Sequence, residues 1–196
     1  MKGAHEPPQF VADVGSEVCF AGRSNSGKSS AINAITQRHA LARISKTPGR
    51  TQLINFFELE VGRRLADLPG YGYAKVPRPL QDHWKRLLES YFKDRRSLTA
   101  LFLIIDVRRG LGEQDWQMIR YARSCRRGVH LLLTKADKLS RNQASSALAK
   151  VRKELGAEAT VQLFSATKKT GVDDARKVLR QYLDSKEPGD GTPVAG

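Results

Sequence analysis

Residues 22–29 read Gly22-Arg23-Ser24-Asn25-Ser26-Gly27-Lys28-Ser29, which fits the pattern GxxxxGK[ST]. A short apolar stretch, residues 17–21, precedes it and reads as a strand. Residues 28–36 read as the helix that follows. This context gives the pattern a mechanism. The backbone N–H groups of such a loop point inward at a helix N-terminus and form a nest for anions. Gly22 and Gly27 let the backbone curl around phosphates with no side chain in the way. Lys28 brings a positive charge to the outer phosphates, and the Ser29 hydroxyl is a ligand for Mg²⁺.

Working outward, residues 37–52 are basic and turn-rich and read as a mobile loop containing Pro48-Gly49-Arg50-Thr51. Two strands, 53–60 and 63–68, join around Gly62 as a hairpin. A second irregular loop, 69–79, follows Asp67-Leu68-Pro69-Gly70. Helical spacing of Trp84, Leu87, Leu88, Tyr91 and Phe92 predicts a helix over 80–94. The near-continuous apolar run 100–106 predicts a strand buried on both faces. Helices are expected at 113–123, 142–155 and 172–183, and strands at 129–134 and 161–165. Residues 184–196 show no periodicity and read as a flexible tail. Strands alternate with helices except at the hairpin. The expected fold is α/β: a doubly wound, mostly parallel six-stranded sheet with one antiparallel edge strand and helices on both faces. Ligands on such sheets bind at the carboxyl ends of the strands.

Three later segments sit at those ends in the order a guanine-nucleotide pocket needs. Asp67 closes the third strand, where its carboxylate can hold Mg²⁺ through a water. The Gly70 N–H can reach a γ-phosphate, and the Thr51 hydroxyl can bind Mg²⁺ when that phosphate is present. The loops around Thr51 and over 67–79 therefore read as two switches ordered by γ-phosphate and Mg²⁺. Thr134-Lys135-Ala136-Asp137 follows a buried strand. The Asp137 carboxylate can accept from guanine N1–H and the 2-amino group, a fit that adenine lacks. The Lys135 stem can cover the ring, and Ser165-Ala166 can offer a backbone N–H to guanine O6. The predicted GTP-binding set is Gly22, Arg23, Ser24, Asn25, Ser26, Gly27, Lys28, Ser29 and Ser30 in the first loop. To these it adds Gly49, Arg50, Thr51, Gln52 and Leu53, then Asp67, Leu68, Pro69 and Gly70, then Thr134, Lys135, Ala136 and Asp137, and finally Phe164, Ser165 and Ala166. Lys28, Thr51 and Gly70 are the catalytic candidates.

The chain has 196 residues and a formal net charge of +14, which favours a polyanionic partner such as nucleic acid. Arg120, Arg123, Arg126 and Arg127 form one basic cluster. Arg38, Arg43, Lys46 and Arg50 line the first switch loop, and Arg95-Arg96 and Arg108-Arg109 add two pairs. Such groups can contact RNA phosphates without reading sequence. Cys19 and Cys125 lack metal-ligand spacing and fit a reducing cytoplasm. His5, His39, His83 and His130 are scattered, with no hydrolase triad or zinc-protease pattern. The beginning, MKGAHEPPQF, lacks an apolar signal core, and the longest apolar run is too short to cross a bilayer. A cytoplasmic protein without a membrane is expected, and a monomer.

These strings resemble the translation-factor-related, Ras-like GTPases and, more narrowly, the EngB family of bacterial ribosome-biogenesis GTPases. The resemblance rests on Ala21-Gly22-Arg23-Ser24-Asn25, Lys46-Thr47-Pro48-Gly49-Arg50-Thr51-Gln52, Leu68-Pro69-Gly70-Tyr71-Gly72-Tyr73-Ala74 and Thr134-Lys135-Ala136-Asp137-Lys138-Leu139. Most GTPases carry Asn where this chain has Thr134, and the family shares the Thr. The resemblance covers roughly residues 10–183. It implies a Ras-like GTPase domain over 17–183, after an N-terminal extension of 1–16 and before the tail of 184–196. It also implies GTP and GDP as ligands, the large (50S) ribosomal subunit as partner through its RNA and proteins, and an association with cell division and septation.

One position departs from the Ras pattern. A Gln after the DxxG glycine orients the attacking water in Ras-like enzymes, and here that place is Tyr71. Slow intrinsic hydrolysis is expected unless something else completes the site. Related GTPases with a nonpolar or aromatic residue there use K⁺, held partly by a P-loop asparagine, and Asn25 stands at that position. Hydrogen bonding of Asn25 within its own loop is the competing reading. Three functions remain open at this stage: a GTPase switch in large-subunit assembly, a GTP-dependent ribosome- or RNA-binding module with incidental hydrolysis, and a P-loop kinase or ATPase, which Thr134–Asp137 opposes.

Overall fold

The computed structural model describes residues 2–38, 41–42, 53–72 and 78–185. Seven strands form one sheet: β1 (Lys2–Ala4), β2 (Ser16–Gly22), β3 (Ile54–Glu60), β4 (Arg63–Asp67), β5 (Leu98–Asp106), β6 (Gly128–Thr134) and β7 (Thr160–Leu163). Five helices surround it: α1 (Lys28–Thr36), α2 (Arg78–Asp94), α3 (Glu113–Ser124), α4 (Arg141–Leu155) and α5 (Val172–Asp184). The strand order is β1-β3-β4-β2-β5-β6-β7. Pairing is parallel from β4 through β7 and antiparallel on both sides of β3.

The sheet is thus the expected doubly wound one, with a strand more than the sequence suggested. Lys2–Ala4 pairs with Ile54–Phe56 and covers β3, so the reversed strand is flanked on both edges. Three residues carry no periodicity, and their partner lies some fifty positions away, so nothing local announces this strand.

β5 shows why the sheet is buried on both faces. Leu101, Leu103 and Ile105 enter one apolar cluster with Leu87, Tyr91 and Phe92 of α2, Ile119 of α3 and Val151 of α4. The alternate residues Ala100, Phe102 and Ile104 enter the other, with Ile32 and Ile35 of α1 and Leu179 and Leu183 of α5. Apolar residues at both parities of a strand demand cover on both sides. α4 starts where the sequence allows it: the Ser140 hydroxyl accepts from the Gln143 N–H at 3.3 Å, and the Gln143 side chain accepts from the Ser140 N–H at 3.0 Å.

The topology also sets the site. β2 lies between β4 and β5, where the sheet order reverses, which is the switch point at which such folds bind ligands. Register pairs Phe20 with Asp67, Gly22 with Ile104, and Asp106 with Thr134. The carboxyl ends of four neighbouring strands therefore arrive side by side.

Candidate functional site: a phosphate loop beside a base loop

The loop after β2 turns as its glycines require. Gly27 has φ +94, and a Cβ on Gly22 would lie 2.6 Å from the Ile104 carbonyl oxygen and 2.7 Å from the Ser26 hydroxyl. α1 then opens at Lys28, with Lys28 and Ser29 in its first turn. The Lys28 ammonium is in direct contact with Oδ1 of Asp67, which ends β4. The two groups expected at the phosphate and Mg²⁺ thus meet at one point. Mg²⁺ fits this donor set, because Ser29 and Asp67 are hard oxygen ligands of the kind it prefers. Among the described residues no group of three or more His, Cys, Asp or Glu side chains could cage a metal on its own. Gly49, Arg50, Thr51 and Gln52 lie outside the described residues, and Leu53 lies just before β3.

The base loop is tied to the phosphate loop by two side chains. The Thr134 hydroxyl lies 2.5 Å from the Ser26 carbonyl oxygen and 3.0 Å from that of Ile105. Lys135 donates to the Asn25 carbonyl oxygen at 2.6 Å and sits 2.9 Å from Oδ2 of Asp106. Lys135 takes a left-handed backbone conformation, φ 60, that aims its stem back over the phosphate loop. Asp106 was not singled out by the sequence reading. It is buried at the end of β5, and hydrogen bonds from Arg108, at 2.6 and 2.9 Å, hold its carboxyl far below the usual range. Of the expected Arg108–Arg109 pair, both are exposed, but Arg108 is committed to Asp106.

Asp137 lies in the short turn Ala136–Lys138 with its carboxylate already oriented. Ser165 donates its hydroxyl to Oδ1 at 2.6 Å, and this bond is the main reason the Asp137 carboxyl is held below its ordinary value. Ser165 thus contributes a side chain that the sequence reading did not foresee. Its own N–H is engaged with the Thr170 carbonyl at 2.9 Å, so of the Ser165-Ala166 pair the Ala166 N–H is the one left for a base. Phe164 is buried beneath them.

On the other flank, the segment after β4 lies against the phosphate loop. The Tyr71 N–H donates to the Gly22 carbonyl at 3.3 Å, and the Ser24 N–H donates to the Tyr71 carbonyl at 3.1 Å. The Tyr71 ring is buried, with its hydroxyl on Asp115. Asn25 is exposed at φ 60, and its carbonyl oxygen accepts from Lys135. Arg23, Ser24, Asn25, Gly72, Arg109, Glu113 and Gln114 line an open cleft of about 410 Å³ there.

Several predicted RNA-contacting cations are otherwise occupied. Arg127 is buried and donates to the Phe92 and Arg95 carbonyls. Arg95 is buried against Glu17. Arg120 pairs with Glu113, Arg123 with Glu158, and Arg38 caps the Glu58 and Leu59 carbonyls. Arg43, Lys46 and Arg50 lie outside the described residues.

A P-loop at the switch point, the Asp67 carboxylate beside its lysine and a base loop clamped onto it define a P-loop nucleotide-binding protein of the GTPase class. Comparison with known proteins agrees. A family model described as 50S ribosome-binding GTPase matches residues 17–135. Over 184 residues the chain is 52% identical to the probable GTP-binding protein EngB of Stenotrophomonas maltophilia (strain K279a), covering 92% of each chain. It is 50% identical over 184 residues to the protein of that name from Xanthomonas euvesicatoria pv. vesicatoria (strain 85-10), covering 92% of this chain and 89% of the other. A crystal structure of a probable GTP-binding protein engB superposes with a TM-score of 0.69 at 20% identity, over 86% of this chain and 98% of that one, which shows the shared fold. The chain belongs to the EngB family of GTP-binding proteins.

Proposed function

We propose that this protein is a GTPase switch that hydrolyses GTP to GDP and phosphate and assists assembly of the large ribosomal subunit by contacting ribosomal RNA or protein. Through that work it supports normal division and septation in the cytoplasm, acting as a monomer. The observation that carries the reading is the clamp between the two halves of the site. Thr134 and Lys135 reach the Ser26 and Asn25 carbonyls, so the base and phosphate ends are set at a fixed spacing from each other. The family description as a 50S ribosome-binding GTPase supports the partner. So do Arg78, Lys85, Arg86 and Lys93 of α2, which are exposed and carry no ion pair among the described residues. Among those residues only Val14 and Val61 are large, apolar and exposed, in keeping with a monomer. No helix of the described residues is long and apolar enough to cross a membrane.

In this reading Gly22–Ser30 cradles the phosphates and Lys28 leaves Asp67 to pair with them. Gly49–Leu53 and Asp67–Gly70 follow the γ-phosphate, Asp137 reads guanine, and Phe164–Ala166 closes over the base. Ser29 and Thr51 would hold Mg²⁺ directly and Asp67 would hold it through a water, and the ion would supply positive charge to the phosphates. A water oxygen attacks the γ-phosphorus as the bond to the β–γ bridging oxygen breaks, and the water's proton passes to the phosphate that is released. The Gly70 N–H supports the γ-oxygens, and Lys28 the charge that builds on the leaving group.

The Tyr71 hydroxyl, at the place of the Ras glutamine, is committed to Asp115 and gives the water no such help. In this reading Asn25 would help to hold K⁺, which would supply the positive charge that an arginine finger supplies elsewhere. The test is the GTPase rate in K⁺ against Na⁺ with large ribosomal subunits present. A several-fold higher rate in K⁺ is expected, and equal rates reject the potassium role. The buried Tyr71 also favours a second reading, a GTP-dependent binding module whose hydrolysis is incidental. That reading wins if a hydrolysis-blocked variant still supports subunit assembly.

A further inference from the structure

One buried carboxylate reaches both the phosphate loop and the segment that senses the γ-phosphate. Asp115, in the first turn of α3, is completely buried. Its Oδ1 accepts from the Tyr71 hydroxyl at 2.7 Å. Its Oδ2 accepts from the Gly112 N–H at 2.8 Å and lies 3.0 Å from Nη2 of Arg23. Tyr71 directly follows Gly70, and Arg23 is the second residue of the P-loop motif. The contact is built closely: a Cβ on Gly112 would stand 1.9 Å from Arg23 Nη2. Above the carboxylate, Arg23 and Tyr71 form a parallel backbone bridge, and a Cβ on Gly70 would lie 3.6 Å from the Ser24 N and Cα. Burial first, and the neighbouring Asp115 charge second, push the Tyr71 phenol far above its ordinary value, so it remains a donor at every physiological pH.

A fully buried carboxylate is costly unless its partners are fixed. Here those partners lie on two elements that must cooperate when GTP is bound. We propose that Asp115 is a positioning residue for the GTPase site: by holding Tyr71 and Arg23 together it seats Gly70 against the phosphate loop, so that the Gly70 N–H is in place for a γ-phosphate. The proposal rests on the GTPase reading above. Seating the donor beforehand removes an ordering cost that GTP binding would otherwise carry. GDP has no γ-phosphate and gains nothing from it.

That asymmetry separates positioning from plain structural support. Tyr71→Phe removes only the hydroxyl and leaves the ring beside Trp84, at a centroid distance of 6.4 Å. Fluorescent GDP and a fluorescent non-hydrolysable GTP analogue are titrated against the full chain with Mg²⁺, wild type and variant. The analogue is expected to bind about ten-fold more weakly to the variant, the scale of one hydrogen bond to a charged group, with GDP affinity unchanged. Asp115→Asn is expected to shift the same ratio in the same direction. If Asp115→Asn does not fold, Tyr71→Phe decides alone. Equal weakening of both nucleotides, or no change in either, overturns the positioning role while leaving the GTPase reading intact. A wild-type chain that binds neither nucleotide overturns both.

Discussion

Asp137 meets its ligand with one oxygen already engaged by the Ser165 hydroxyl at 2.6 Å, which fixes the plane of the carboxylate. Guanine offers two donors to that plane. An amide offers one acceptor and one donor, which suits the extra carbonyl of xanthine. Asp137→Asn should therefore weaken GTP by about 100-fold, the scale of a mismatched bond to a charged group, and strengthen xanthosine triphosphate, as read by competition titration. Unchanged GTP affinity contradicts the assignment. At this scale the motif residues were legible because each carries its chemistry within a few neighbours: Lys28 at a helix start, Asp67 at a strand end, Asp137 after a buried strand. What holds them was not legible. Asp106 for Lys135, Ser165 for Asp137 and Asp115 for Tyr71 act across 29, 28 and 44 positions. Nothing in the spacing of an acidic residue in the first turn of α3 says that it will be buried.

At the scale of elements, the ends of the sheet opposite the site are fastened by ions. Glu17 at the start of β2 is buried. It accepts from Arg95 at 2.7 and 2.9 Å and from the Tyr91 hydroxyl at 2.7 Å. Arg95 also reaches the Val11 carbonyl, and Arg64 those of Ala12 and Val14, so residues 11–14 are bound beneath the sheet. Glu17→Ala leaves the Arg95 charge uncompensated and should cost about 3–5 kcal/mol in denaturant unfolding. Arg63→Ala, which breaks the exposed pairs with Glu60 and Asp184, should cost less than about 1 kcal/mol. Equal costs would contradict this account of the buried cluster. The sequence placed Glu17 at the head of an apolar strand but could not show its partners, which come from a helix end some eighty residues on.

β6 and β7 are joined by a histidine that must stay neutral. The Gln162 amide donates to the Gly171 carbonyl at 2.7 Å, which leaves its oxygen to accept from Nε2 of His130 at 3.1 Å. Nδ1 then accepts from the Thr160 hydroxyl at 2.7 Å. Burial pushes the His130 pKa down to about 4 from an ordinary 6.5. Between those values the unfolded chain binds a proton that the folded chain refuses, so stability falls as pH drops from 6.5 towards 4 and is unaffected above. Melting temperatures from pH 7 to 5 should fall more steeply in the wild type than in His130→Asn. Parallel curves would contradict the assignment.

For the whole molecule, the net charge of +14 is distributed unevenly. Arg64, Arg95, Arg108 and Arg127 are consumed by internal partners. Arg78, Lys85, Arg86 and Lys93 of α2 face solvent, on the helix that follows the Gly70 segment. Composition gave the total charge but could not separate the cations that build the fold from those left for a partner. Exposed Asp82 and Glu89 lie among these cations on the same helix face, which leaves the cations two in excess there, and any phosphate contacts they make would weaken as salt rises. The most direct measurement is sucrose-gradient co-sedimentation with separated ribosomal subunits, comparing GDP with a non-hydrolysable GTP analogue at two salt concentrations. The account predicts selective binding to the large subunit with the GTP analogue, weaker at the higher salt but dependent on the nucleotide at both salt concentrations. Equal binding with both nucleotides, lost at moderate salt, would contradict it.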